Sequence, residues 1–196
     1  DETTTTINKL EAPVQLPSYR FHQDHVLGTS LDVVVTTANQ KDAEKALEAI
    51  QTEIARLDQI LSVWRDDSEI SQLNREQKIS ASSELYDVIA ACEQWRSATC
   101  GGFDARLGQL ISLWENSNQV QKLDDQTQEA LLQQLKTQSI ELNPQTKQIT
   151  LTPAIKVAPD AYAKGYVIDR ALVAAQQAVP HLQGILIDIG GYMRVW

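Results

Sequence analysis

From residue 26 onward the chain alternates between β-rich runs and runs of helical period. VLGTSLDVVVTT (residues 26–37) is rich in β-branched residues and stops before the polar turn ANQKD, which predicts a strand. Behind it, Ala43, Leu47, Ile50, Ile54, Leu57 and Leu61 recur at steps of three and four, which predicts an amphipathic helix with one buried face. RDDSEISQLNREQKISASSE (65–84) then breaks the pattern with charge and serine. Helical spacing returns through Leu85, Val88, Ile89, Cys92 and Trp95. Ser82 or Ser83 can cap that helix, with Glu84 near the positive end of its dipole.

CGGFDARLGQLISLWENS (100–117) opens on a glycine pair suited to a tight turn and becomes apolar at Leu107, Leu110, Ile111 and Trp114. A glutamine-rich helix is predicted over about 125–136. SIELNPQTKQITL (139–151) reads as a hairpin around an Asn-Pro turn. After Pro159 a helix is predicted through DAYAKGYVIDRALVAAQQAV, and GILIDIGG (184–191) is a buried strand ending in two glycines. Apolar Met193, Val195 and Trp196 follow with no closing element, which reads as a domain truncated at its C-terminus or else as an element completed by another chain. The element order is mixed α and β and not regularly alternating. The fold class is therefore α/β (α+β): one domain over 18–196 with a mixed sheet and a helical sub-lobe.

Composition narrows the function classes. At 196 residues and 42% apolar, the chain can build a full core. A net charge of -9 argues against a nucleic-acid backbone as partner. No apolar run reaches membrane-spanning length. Residues 1–17 are polar, threonine-rich and interrupted by proline, and read as a flexible tail or tether. Cys92 and Cys100 are too few for a disulfide scaffold; one local bridge and two free thiols both fit their spacing. His22, His25 and His181 show no zinc-site spacing, and the phosphate-loop, dinucleotide and hydrolase-elbow signatures are absent.

Four stretches carry candidate chemistry: LGTSLDVVV, LSVWRDDSEISQLN, GGFDARLGQLISLW and DAYAKGYVID. Gly102, Phe103 and Asp104 offer free amides, an aromatic face and a carboxylate to a nucleotide, or else a tight turn with Phe103 in the core and Asp104 as a cap. Trp64 beside Arg65 suits ring stacking and phosphate capture, or else belongs to a solvated loop. In order and spacing these stretches, with the closing GILIDIGG, resemble the ApbE-like family, the FAD:protein FMN transferases, from Leu27 to the last residue.

The resemblance implies magnesium-dependent transfer of FMN from FAD to a threonine or serine hydroxyl of an acceptor protein. It implies FAD and Mg2+ as cofactors and an exported chain, in the periplasm or on the outer face of the bacterial membrane. Its N-terminus would carry a membrane tether, as in a lipoprotein. It implies that Leu27, Thr29, Trp64, Gly102, Phe103, Asp104 and Lys164 contact the flavin nucleotide and that the Ala161 carbonyl holds the metal. No catalytic residue is assigned. Two positions depart from the family pattern: Ala158 stands where an FAD-contacting aspartate is usual, and Tyr192 follows the glycine pair where a polar residue is usual. These departures leave a second reading, a non-catalytic module that binds flavin weakly or serves protein interaction in an exported redox complex.

Overall fold

A computed structural model of the chain describes residues 16–116, 125–152 and 155–196. The expected tail falls almost wholly outside them, as does the side chain of Trp114. The described elements run β1 (Ser18–Val26), β2 (Thr29–Thr36), α1 (Gln40–Leu61), α2 (Glu69–Glu76), β3 (Lys78–Ser80), α3 (Ser83–Ala98), α4 (Gly108–Asn116), α5 (Asp125–Thr137), β4 (Ile140–Asn143), β5 (Gln148–Leu151), α6 (Asp160–Ala178), β6 (Gly184–Ile189) and β7 (Tyr192–Val195). They form a single α+β domain.

A four-stranded sheet in the order β1-β2-β6-β7 carries one side of the core, and a small sheet β3-β5-β4 lies apart from it. All pairs between these strands are antiparallel. The register of β2 on β6 pairs Leu31 with Ile189, Val33 with Ile187 and Val35 with Ile185. All six of these side chains are buried. Strand alternation turns them to one face, where each fully buried Val, Leu or Ile is worth roughly 1.5–3 kcal/mol.

Helices α1 and α6 pack along each other beside this face. Ala43, Ala46, Ile50, Ile54, Leu57 and Leu61 form the buried stripe of α1; α6 answers with Ala163, Val167, Ile168, Ala171, Leu172 and Ala175. The alanines let two helix axes approach closely. Asn39 caps α1 by accepting from the Asp42 N–H at 2.9 Å, and Ser82, not Ser83, caps α3 by accepting from Leu85 N–H.

Five elements differ from the sequence reading. The expected strand over 26–37 starts at Thr29; Leu27 and Gly28 form a turn, and Val26 ends a separate strand, β1. β1 is an edge strand whose Tyr19 and Phe21 are only half-buried, so its alternation is faint. The charged break over 65–84 contains α2 and β3, because α2 is short and buries only Ile70 and Leu73. The apolar residues after GILIDIGG form β7, which closes a hairpin on β6 through Gly190 and Gly191, both with positive φ. β7 is exposed along its length and so shows no burial pattern. Both cysteines are free, Cys92 buried in α3 and Cys100 exposed beyond it. Burial pushes the Cys92 thiol up to about 12, with Glu93 adding to the effect, so it is inert.

Candidate functional site

The cleft forms where the β1–β2 turn, the C-terminal end of α1 and the N-terminal half of α6 meet. One lobe, of about 510 Å³, is walled by Leu27, Leu57, Leu61, Ala163 and Val167. Asp58, Arg65, Asp160 and Lys164 supply its polar edge. A second lobe, of about 260 Å³, is lined by Ser71, Asn74, Arg75, Ser112, Lys156 and Ala158 among others. Both lobes include Trp64, Ile111 and Asp160, so they run together at that waist. An apolar hollow with a few convergent polar groups, continued by a more polar lobe, has the character of a small-molecule site.

Local sequence accounts for each wall. The turn between β1 and β2 puts Leu27 and Gly28 at φ 50° and 76°, and this aims Leu27 inward over the lobe. α1 ends at Ser62, whose backbone is extended, and the chain leaves the helix with Trp64 standing 72% exposed over the cleft. Ser68 closes that loop: its hydroxyl donates to the Ser62 and Arg65 carbonyls and accepts from Ser71 N–H at the head of α2. Glu69 accepts from the backbone N–H and hydroxyl of Ser82, joining the start of α2 to that of α3. In SEISQLN, Ser68 and Glu69 are therefore scaffold for Trp64.

Arg65, read from sequence as a phosphate-capture candidate, is held by Asp67 at 3.1 Å and Asp58 at 3.5 Å. The ammonium of Lys164 lies 5.5 Å from the centre of the Tyr192 ring, a cation–π distance. Asp160 opens α6, behind the cap residue Pro159, which makes no side-chain capping bond. Burial pushes the Asp160 carboxyl above the usual carboxylate range, against the opposing pull of its own backbone amide and of Lys164.

Of the residues expected to contact the flavin nucleotide or the metal, the structure brings Leu27, Trp64 and Lys164 together in the cleft. The others stand elsewhere. Thr29 packs on Gly190, where an added Cβ would lie 2.7 Å from the threonine methyl. Gly102 is exposed in a turn stitched by Thr99: its N–H meets the Thr99 carbonyl at 3.0 Å, and the Phe103 N–H meets the Thr99 hydroxyl at 2.9 Å. Phe103 rests against the core. Asp104 is taken up by Arg106. Ala161 is exposed in the first turn of α6. Sequence reasoning missed Leu57, Leu61, Ile111, Ala163 and Val167 as cleft walls. Their only signal was core periodicity, which does not separate a side chain facing another side chain from one facing a cavity.

Magnesium is poorly served by these residues. Among the described residues no three His, Cys, Asp or Glu side chains gather around a common point. The Ala161 carbonyl belongs to a helical turn, and Asp160 is the nearest cleft carboxylate in sequence, whereas Mg2+ takes six oxygens in near-octahedral geometry. No step below is routed through the metal. A broader hollow, about 580 Å³, lies on the outer face of the large sheet around Arg20, His22, Asp32, Asp188 and Trp196. Two of its polar groups are already engaged, His22 with Asp32 at 2.7 Å and Asp188 with the Gly191 N–H at 2.7 Å.

Solved structures of other proteins share this architecture, three ApbE proteins among them. The ApbE protein from Thermotoga maritima matches with a TM-score of 0.78 at 24% identity, over 91% of this chain and 59% of its own. The flavinyl transferase ApbE from Pseudomonas stutzeri, in its apo form, matches at 0.76 and 19%, over 94% and 62%. The flavin transferase ApbE from Vibrio cholerae matches at 0.74 and 19%, over 92% and 59%. The chain thus spans about three fifths of the length of the solved structures it matches. No curated protein matches it significantly. The ApbE family pattern matches residues 27–196, the greater part of the sequence, and the chain belongs to the ApbE family.

Proposed function

We propose that this chain binds FAD as part of a flavin transferase that moves FMN to a threonine or serine hydroxyl of an acceptor protein. The observation that carries this reading is the two-lobed cleft with Trp64 exposed at its waist, in a chain of the ApbE fold. A dinucleotide is two ring systems joined by a pyrophosphate, and the cleft is one apolar hollow joined to a more polar one. Leu27, Leu57, Leu61 and Val167 suit a planar ring; Ser71, Arg75, Ser112 and Lys156 suit sugar and phosphate oxygens.

In the transfer, the acceptor hydroxyl oxygen attacks the FMN phosphorus. The bond to the bridging oxygen breaks, AMP departs and the hydroxyl proton is lost to solvent or a base. What these residues contribute is binding and alignment. Trp64 stacks, Lys164 holds a positive charge at the edge of the cleft, and the apolar walls exclude water. Magnesium, an exported location and an N-terminal tether belong to the proposal on resemblance alone. No described helix is long and apolar enough to cross a membrane.

One observation favours the second reading, a non-catalytic module. Ala158 presents only a methyl group to the second lobe, where the family pattern has a carboxylate. The two readings separate when the protein is mixed with FAD, magnesium and a threonine-bearing acceptor peptide and the peptide is weighed. A mass gain of one FMN supports transfer. FAD binding without any mass gain supports a module that binds flavin, and absence of FAD binding overturns transfer and leaves only the protein-interaction form of the module.

A further inference from the structure

The asparagine that closes LSVWRDDSEISQLN has a partner far away in sequence. Asn74 lies near the end of α2, and its carboxamide meets both backbone polar groups of Val157: Nδ2 donates to the Val157 carbonyl at 2.9 Å, and Oδ1 accepts from the Val157 N–H at 2.7 Å. A carboxamide carries a donor and an acceptor side by side, as a peptide group does, so it can serve one residue of an extended segment as a paired strand would.

The same segment is held at other points. Gln77 at the end of α2 donates to the Ile155 carbonyl at 3.1 Å. Gly108 N–H donates to the Lys156 carbonyl at 3.0 Å, and Ala158 N–H donates to the Ala105 carbonyl at 2.8 Å. The chain is thus fixed directly before Pro159 and Asp160. Val157, Ala158 and Asp160 then line the second lobe of the cleft.

We propose that Asn74 is a positioning residue of the cleft. By clasping Val157 it sets where Ala158 and Asp160 stand against the bound dinucleotide. Its consequence for affinity rests on the flavin reading above; its effect on the segment does not. With donor and acceptor both engaged by Val157, Asn74 acts through the segment it holds.

The test pairs backbone amide exchange with FAD titration on the protein, Asn74→Ala, Asp160→Asn and the double variant. Asn74→Asp, which keeps the bond from Val157 N–H, replaces Asn74→Ala if that variant does not fold; its exchange is then read at Ala158 alone. Asn74→Ala should speed exchange at Val157 and Ala158 by about tenfold while amides of β2 and α1 keep their protection. FAD affinity should fall by about tenfold, and Asp160→Asn should cost less in the Asn74→Ala background than alone, since both act on one wall. Unchanged exchange at Ala158 overturns the proposal. So does faster exchange with FAD affinity within twofold of the unmodified protein, or losses that multiply independently. If the unmodified protein binds no FAD, the flavin reading fails, and the exchange result alone then decides whether Asn74 sets this wall.

Discussion

Asp104 clasps Arg106 two residues along the chain: Oδ1 lies 2.9 Å from Nε, and Oδ2 lies 2.6 Å from Nη2. The two side chains are only 12% and 9% exposed. The remaining guanidinium nitrogen, Nη1, donates to the carbonyls of Leu135 and Gln138, so the pair ties the turn after α3 to the end of α5.

Asp104→Asn should therefore destabilise the protein at neutral pH by about 3–5 kcal/mol, because it strands a buried guanidinium. Burial works to raise the Asp104 pKa, but hydrogen bonds and charge from Arg106 overcome it and hold the carboxyl below its usual range. A carboxyl depressed in the folded state contributes stability above its unfolded pKa and loses it as pH falls through the folded value. Urea unfolding should show a wide gap between variant and parent at pH 7 that narrows below about pH 4. A gap that stays constant down to pH 3 would contradict this.

Trp64 makes the opposite prediction. At 72% exposure it contributes little to the core, so Trp64→Ala should leave stability within about 0.5 kcal/mol of the parent. FAD affinity should still fall severalfold through loss of about 1 kcal/mol of ring stacking, with Trp64→Phe retaining most of it. Fluorescence titration of the three proteins measures this. Equal affinities would remove Trp64 from the site.

What was legible in the sequence follows from how each contact is made. α1 and α3 announced themselves because their buried faces repeat at helical period, and β2 and β6 because their inner faces are wholly aliphatic. α2, β1 and β7 did not, since a short polar helix and two edge strands bury too few side chains to leave a pattern. Leu27, Trp64 and Lys164 came from three separate stretches, and their meeting in one cleft depends on α1 and α6 lying together. The bond between Asn74 and Val157 was invisible: one side chain reading one peptide group across 83 residues has no period.

Two glycines in these stretches should respond to alanine in opposite ways. At Gly108 an added Cβ would sit 2.6 Å from the Lys156 carbonyl oxygen, so backbone must move, and Gly108→Ala should cost about 1–3 kcal/mol. At Gly165 nothing lies within 4 Å, and the residue is in the interior of α6. Gly165→Ala should stabilise by about 0.5–1 kcal/mol on helix propensity alone. Thermal unfolding of both variants tests the pair. A Gly165→Ala protein that is more stable yet binds FAD less well would mean that the glycine serves ligand approach and not the helix.

Asp160 is the carboxylate the fold bears at a cost. Burial raises its pKa more than its own backbone amide and Lys164 lower it. An acid raised in the folded state binds its proton more tightly when folded, so ionising it destabilises. Stability is full below the ordinary carboxylate pKa and falls as pH rises through the folded value. Asp160→Asn mimics the neutral form and removes that loss. Its melting temperature should exceed the parent's at pH 7, and the difference should close toward pH 3. FAD affinity should meanwhile drop severalfold, because one of the two acceptor oxygens offered to ribose hydroxyls or ring N–H groups at the waist between the lobes becomes a donor. A half-buried acid whose removal stabilises the chain but weakens its ligand is being kept for the ligand. A variant that melts below the parent at pH 7 would instead make Asp160 part of the scaffold.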